Sequence, residues 1–156
     1  MGFDSKIRFF LITMVFAITL NSCNKKNDVI PDVIVDFYLN INDPEFVTLS
    51  GIGSHVIVTS QTNNLGSAAA GFDNNGIIVY TSGIDVFNAY DRTCPYDYAV
   101  NGKSIKINVD FTIAACPQCS TYYALSAGGT PYSGPGRYPL KNYKTSFDGR
   151  YVKVWN

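Results

Sequence analysis

Hydrophobic and polar residues alternate along most of this chain in short runs broken by turn residues, and no stretch keeps apolar side chains at helical spacing for three turns. The alternation predicts strands over 34–40, 46–49, 55–59, 77–80, 86–90, 104–109, 111–115, 122–125, 143–147 and 151–155. These runs are rich in Val, Ile, Tyr and Phe, which suit a pleated, half-buried surface. Asn75-Gly76, Asn101-Gly102, Gly128-Gly129 and Asp148-Gly149 read as turns between them. An all-β fold follows, a small sandwich or barrel. Its clearest hairpin is 141–156, with Asp148-Gly149 as the two-residue turn. The Gly/Ser/Ala-rich segment 65–71 is open between a loop and a short helix.

The N-terminal pattern is different. Lys6 and Arg8 precede an uncharged, mostly apolar run of twelve residues, 9–20. That is too short to span a bilayer as a mature helix and suits the core of a signal peptide. The run ends in Leu20-Asn21-Ser22-Cys23, which resembles the bacterial lipobox. The resemblance implies that residues 1–22 are removed, that Cys23 carries acyl chains holding the protein on a membrane surface, and that 23–36 form the lipidated cysteine and a tether. Residues 37–156 are then the folded β domain. Asn24, next to the lipidated cysteine, favours the outer membrane over the inner.

Charge and composition mainly exclude. Twelve basic and twelve acidic residues balance, and Lys25-Lys26 is the only basic cluster, so no face suits a nucleic acid backbone. One histidine, His55, excludes any site built on two imidazoles, and its place at the start of a strand reads as an edge polar residue. There is no glycine-rich phosphate loop, no Gly-x-Ser-x-Gly elbow and no paired-carboxylate constellation, so nothing indicates an enzyme. Asp91 and Arg92 are placed to pair and steady a loop. Nine of the eleven tyrosines lie between 90 and 151, where some could line a contact surface. Tyr122 and Tyr123 must point to opposite faces of a strand. No feature names a protein or glycan partner.

Three cysteines remain for the domain, in Cys94-Pro95-Tyr96 and Cys116-Pro117-Gln118-Cys119. Two short cysteine-bearing loops joined by a hairpin-sized segment are what a two-finger metal site needs. With Val86-Phe87-Asn88-Ala89-Tyr90 leading into Cys94, and with Ser120, Ala124-Leu125, Gly129, Tyr132-Ser133-Gly134-Pro135 and Pro139-Leu140 beyond Cys116, the segment 76–154 resembles a Rieske iron-sulfur domain. The resemblance implies a 2Fe-2S cluster held by Cys-x-His and Cys-x-x-His. Cys94 and Cys116 stand at the thiolate positions, and Tyr96 and Cys119 stand where the histidines would be. Both imidazoles are missing, and His55 cannot replace them.

Three readings compete. The leading one is a domain without a cofactor, in which Cys94 is disulfide-bonded to Cys116 or Cys119 and the protein is a structural or binding module. The second keeps a 2Fe-2S cluster on Cys94, Cys116 and Cys119 with an oxygen from Tyr96 or Asp97, making an electron carrier of low potential with a redox partner. Zinc on the same thiols lacks a better fourth ligand. The third, thiol-disulfide exchange at Cys116–Cys119, needs a helix N-terminus, whereas 120–125 read as a turn into a strand. The Ser133-Gly134-Pro135-Gly136 turn is placed to cover the cysteine site, as a Gly-Pro loop does in the resembled family.

Overall fold

The computed structural model describes residues 29–156, and the expected signal peptide, Cys23 and the first part of the tether lie outside the described residues. The strands are β1 (Asp36–Asn40), β2 (His55–Val58), β3 (Ile77–Gly83), β4 (Val86–Asp91), β5 (Asn108–Asp110), β6 (Ile113–Ala115), β7 (Tyr122–Ala124), β8 (Thr130–Ser133), β9 (Asn142–Phe147) and β10 (Tyr151–Trp155). One helix, α1 (Pro95–Asn101), lies between β4 and β5. The expected all-β fold is what forms. A six-stranded antiparallel sheet runs β1-β10-β9-β4-β3-β2, and a four-stranded one runs β5-β6-β7-β8.

Each sheet has a core, and they share the middle of the larger sheet. Leu39 of β1 and Val58 of β2 come from opposite edges of the six-stranded sheet yet join one cluster, so that sheet curls around its own interior. In β3 the unbroken run Ile77-Ile78-Val79-Tyr80 is buried on both faces, as a run without alternation requires. Ile77 and Val79 enter the first core, while Ile78 and Tyr80 enter a second with Tyr123 and Leu125 from the smaller sheet. Burying one such side chain stabilises by roughly 1.5–3 kcal/mol. The Tyr90 hydroxyl crosses to the Leu125 carbonyl at 2.9 Å and fastens the two layers. Burial raises its pKa to about 12, with Tyr80 adding to the effect.

Several local expectations shift, each for a physical reason. The run 46–49 forms a 3-10 turn over Val47–Ser50 that buries Leu49, because no strand runs beside it to complete a ladder. Segment 65–71 resolves into a 3-10 turn at Gly66–Ala69. Of the expected 104–109 strand only Asn108 and Val109 join the small sheet, in a strand that runs on to Asp110. Upstream of it the chain straps onto the end of β4 instead, through Cys94 N–H to the Ile105 carbonyl (2.8 Å), Ile107 N–H to the Arg92 carbonyl (2.9 Å) and a bridge between Thr93 and Lys106. Asn101-Gly102 closes no hairpin. Gly102, at φ +62, caps α1 and donates to Tyr98 O at 2.9 Å.

The 141–156 hairpin forms with its turn one residue later than expected. Asp148 faces Tyr151, and Gly149-Arg150 are the central pair, with the positive φ on Gly149 alone, as in a type II′ turn. The cause is Asp148 Oδ1, which accepts from both Arg150 N–H (2.9 Å) and Tyr151 N–H (2.6 Å) and holds Asp148 outside the turn. Those amides keep its carboxyl below the usual range.

The described part of the tether lies against the domain. Ile30 and Val35 are buried, and the buried Lys141 ammonium donates to Ile30 O and to Asp32 Oδ1, both at 2.7 Å. β1 then pairs with β10, Asp36 opposite Trp155. Among the described residues no helix is long and apolar enough to cross a membrane.

Candidate metal centre

The first cysteine segment is helical, not a loop. Cys94 is the N-cap of α1 with extended dihedrals, Pro95 occupies the first turn, where its missing N–H costs nothing, and Asp97 falls one turn from Cys94. The phenol of Tyr98 holds this helix edge-on against Phe72, ring centroids 5.1 Å apart. The second segment is a tight turn between β6 and β7, closed by Ser120 N–H to Cys116 O (3.0 Å) and Cys116 N–H to Thr121 O (2.9 Å). Ser120 sits at φ +56 to make that turn. Both segments have the form Cys-Pro-x-ligand, Cys94-Pro95-Tyr96-Asp97 and Cys116-Pro117-Gln118-Cys119, and that internal echo was the available sequence signal for Asp97.

The two turns bring four donors together. The Sγ atoms of Cys94, Cys116 and Cys119 and a carboxylate oxygen of Asp97 all lie within 4.8 Å of one another. Cys94, Asp97 and Cys116 are buried and Cys119 is partly so. The three thiols are free. Cys94 Sγ lies 3.6 Å from Cys119 Sγ, and Cys116 Sγ donates to Asp97 Oδ2 at 2.9 Å. Tyr123, fully buried, brings its hydroxyl to 3.5 Å from Cys94 Sγ, while exposed Tyr122 turns out to stack obliquely with Tyr132. Cys119 Sγ donates to Thr121 Oγ1 at 3.2 Å. Tyr96, named with Asp97 as an oxygen donor, packs at the margin of the second core. Asp97 supplies the oxygen in the cluster.

The sulfurs are also held by the backbone. The Asp97 N–H is directed at Cys94 Sγ, the Cys119 and Gln118 N–H groups at Cys116 Sγ, and the Thr121 N–H at Cys119 Sγ. Such bonds favour the thiolate. The outcome differs by site. Cys94 is held below the ordinary thiol value, first by the Cys116 side chain and then, against burial, by the Asp97 amide and the Tyr123 hydroxyl. Cys116 is pushed up by its bond to Cys94, by burial and by the facing carboxylate. Burial also pushes Cys119 up. Burial alone would raise Asp97, but the bonds from Cys116, Cys119 and Cys94 outweigh it and hold the carboxyl down. A conventional Rieske cluster does not fit this donor set, which has three sulfurs and one oxygen and no imidazole.

The Ser133–Gly136 turn lies on the second cysteine segment. Gly136 N–H donates to Thr121 Oγ1 at 3.0 Å. At Gly134, φ +88, a Cβ would stand 2.5 Å from the Ser120 carbonyl oxygen. Downstream of Cys119 the chain enters β7, as expected, so no helix follows the Cys-x-x-Cys pair.

Asp91 and Arg92 do not pair. Asp91 is fully buried and accepts from Phe72 N–H (2.7 Å), Thr93 N–H (2.9 Å) and the Tyr143 hydroxyl (2.7 Å), while Arg92 Nε turns away to Ile107 O at 2.6 Å. His55 is at the edge strand β2, opposite Tyr80, where burial lowers its pKa against the opposing pull of the Phe111 carbonyl and Asp110.

No family model and no curated protein matches the chain. Among solved structures it is similar to a chain of the complex of reduced oxygenase and oxidised ferredoxin in carbazole 1,9a-dioxygenase, at 19% identity and TM-score 0.46, over 76% of this chain and 92% of that one. The ferredoxin of carbazole 1,9a-dioxygenase from Nocardioides aromaticivorans IC177 is similar over 80% of this chain and 98% of its own length, at 14% identity and TM-score 0.44.

Proposed function

We propose that this chain is a non-enzymatic, lipid-anchored module of a bacterial cell envelope. Its β domain is Rieske-like, and the two segments that would carry a Rieske cluster are clasped to each other without one. The single observation that supports this is the convergence of Cys94, Asp97, Cys116 and Cys119 within 4.8 Å, tighter than a site spread around a cluster core requires. The Rieske assignment rests on the chain's own residues from Val86 to Leu140, and the anchor on Leu20-Asn21-Ser22-Cys23 after the apolar run. Cys23 is the lipidated residue, and the outer membrane is the favoured location. In a disulfide form of the clasp, Cys94 joins Cys116 or Cys119; the Cys94 and Cys119 sulfurs stand 3.6 Å apart.

The second reading is an electron carrier in which Cys94, Cys116, Cys119 and an oxygen ligand hold a 2Fe-2S cluster that meets a redox partner. The presence of four donors keeps it in view. One preparation separates the two. The full-length protein is expressed in a bacterial envelope, fractionated beside Cys23→Ser, extracted in detergent and examined for visible absorption, iron and acid-labile sulfide. The proposal expects a membrane-bound protein that Cys23→Ser releases or leaves unprocessed, with no iron-sulfur bands. Two irons and two sulfides per chain would establish the carrier instead.

A further inference from the structure

We infer that Cys94, Asp97, Cys116 and Cys119 form a tetrahedral site for one thiophilic divalent ion of the zinc type, and that this ion is the clasp between the two cysteine segments. The inference rests on the clasp reading above and gives it a chemical identity. It begins with geometry. Zinc binds thiolates at about 2.3 Å, so the edge of a tetrahedral thiolate site is about 3.8 Å. Cys94 Sγ and Cys119 Sγ are 3.6 Å apart, and no pair among the four donors exceeds 4.8 Å. A two-iron cluster binds its ligand pairs at opposite ends of a rhombic core and separates them well beyond such an edge. These four donors surround one point, not two.

The donors also have the composition and support that a structural ion takes. Four protein ligands with no position left over is the pattern of a closed structural site. Two come from each segment at the same spacing, so the ion joins the N-cap of α1 to the turn before β7. A disulfide uses two of the four groups and leaves a thiol and a buried carboxylate facing each other. A single ion uses all of them. Three thiolates and a carboxylate exceed the charge of a divalent ion, and the surplus is met by the amides aimed at all three sulfurs, the Tyr123 hydroxyl on Cys94, the Thr121 hydroxyl at Cys119 and the positive charge of Lys103 near Asp97. Outer hydrogen bonds of this kind orient ligands and tune affinity.

The test uses the full-length, lipidated protein purified in detergent without chelator. Bound metals are quantified, the protein is stripped with chelator under reducing conditions, and cobalt(II) is titrated back. The expected result is one zinc per chain as isolated and one equivalent of cobalt, showing thiolate-to-metal charge transfer and the intense visible bands of a tetrahedral ion. Asp97→Asn should weaken metal binding by about tenfold or more, while Tyr96→Phe leaves it unchanged. Full affinity in Asp97→Asn would overturn the assignment of the fourth ligand. The wild-type cobalt spectrum stands even if that variant fails to fold. Failure to bind zinc or cobalt, with one titratable thiol among the three cysteines of the unfolded unreduced domain, would replace the ion by a disulfide and leave the clasp standing. Iron with acid-labile sulfide would overturn both.

Discussion

At the scale of single residues, polar groups buried beside the cores help to fix the chain that leads into the cysteine segments. Asp91 is the clearest case. Its carboxylate ends β4 and accepts three bonds at once, from the Phe72 and Thr93 amides and the Tyr143 hydroxyl, just three residues before Cys94. Burial, with the charge of Asp91 next in effect, raises the Tyr143 pKa, so the phenol keeps its proton for that bond. Tyr143→Phe preserves the ring in the first core and deletes only the donor. It should lower unfolding stability by about 1–3 kcal/mol, the cost of leaving a buried acceptor short, read from urea denaturation. A loss indistinguishable from zero would mean that the two amides satisfy Asp91 alone. Nothing in the local pattern singles Asp91 out, because an acid beside an arginine reads most simply as a pair. The partner that matters is fifty-two positions away on β9.

At the scale of elements, β-structure was legible where strands alternate or run apolar, and less so where a strand depends on a neighbour. Residues 77–80 and 151–155 announce themselves; 46–49 has the composition of a strand but no edge beside it, and 104–107 makes its bonds to the end of β4 instead of within the small sheet. The helix at Cys94 was concealed by its brevity, since seven residues cannot show three turns of periodicity. Its boundary marks, Pro95 at the start and Gly102 at the end, are equally those of a loop and a turn. The Ser133–Gly136 turn is an element whose role depends on absent side chains. In Gly134→Ala the added methyl meets the Ser120 carbonyl oxygen at 2.5 Å and the Thr121 Cα at 2.7 Å, on a backbone at φ +88 that disfavours any side chain. The turn should lift from Thr121, releasing Gly136 N–H from its bond. Thiol labelling of Cys119 should then accelerate while far-ultraviolet circular dichroism stays unchanged. An unaltered labelling rate would show that this turn does not shield the cysteine.

At the scale of the whole molecule, two sheets divide the labour: the larger closes around an apolar interior and leads from β4 into Cys94, and the smaller carries the Cys116–Cys119 turn. The four-donor cluster was only partly readable from sequence, for a reason specific to such sites: spacing gives the ligands within each turn, but only the fold decides which side chain of Tyr96 and Asp97 points inward. Helix α1 makes that choice by bringing residue 97 back over residue 94. The strip 29–35 is a second feature that only the fold reveals. Lys141→Met removes the ammonium that holds Ile30 and Asp32, so the amides of Ile30, Asp32 and Val33 should lose protection from hydrogen exchange while β3 and β4 keep theirs. Retained protection would assign the strip to the packing of Ile30 and Val35 and to the bonds that Asn156 makes with Val33 and Val35.

That same strip sets how the domain responds to being pulled. Tension on the chain from the N-terminal side reaches Lys141 first and then the β1–β10 ladder, whose pairs open one after another from Asp36 and Trp155 toward Asn40 and Tyr151. β1 is an edge strand, and the sheet with the cysteine turn shares no strand with it. The domain therefore yields first by peeling at one margin, as a mechanical fuse does, away from the sheet that carries the Cys116–Cys119 turn.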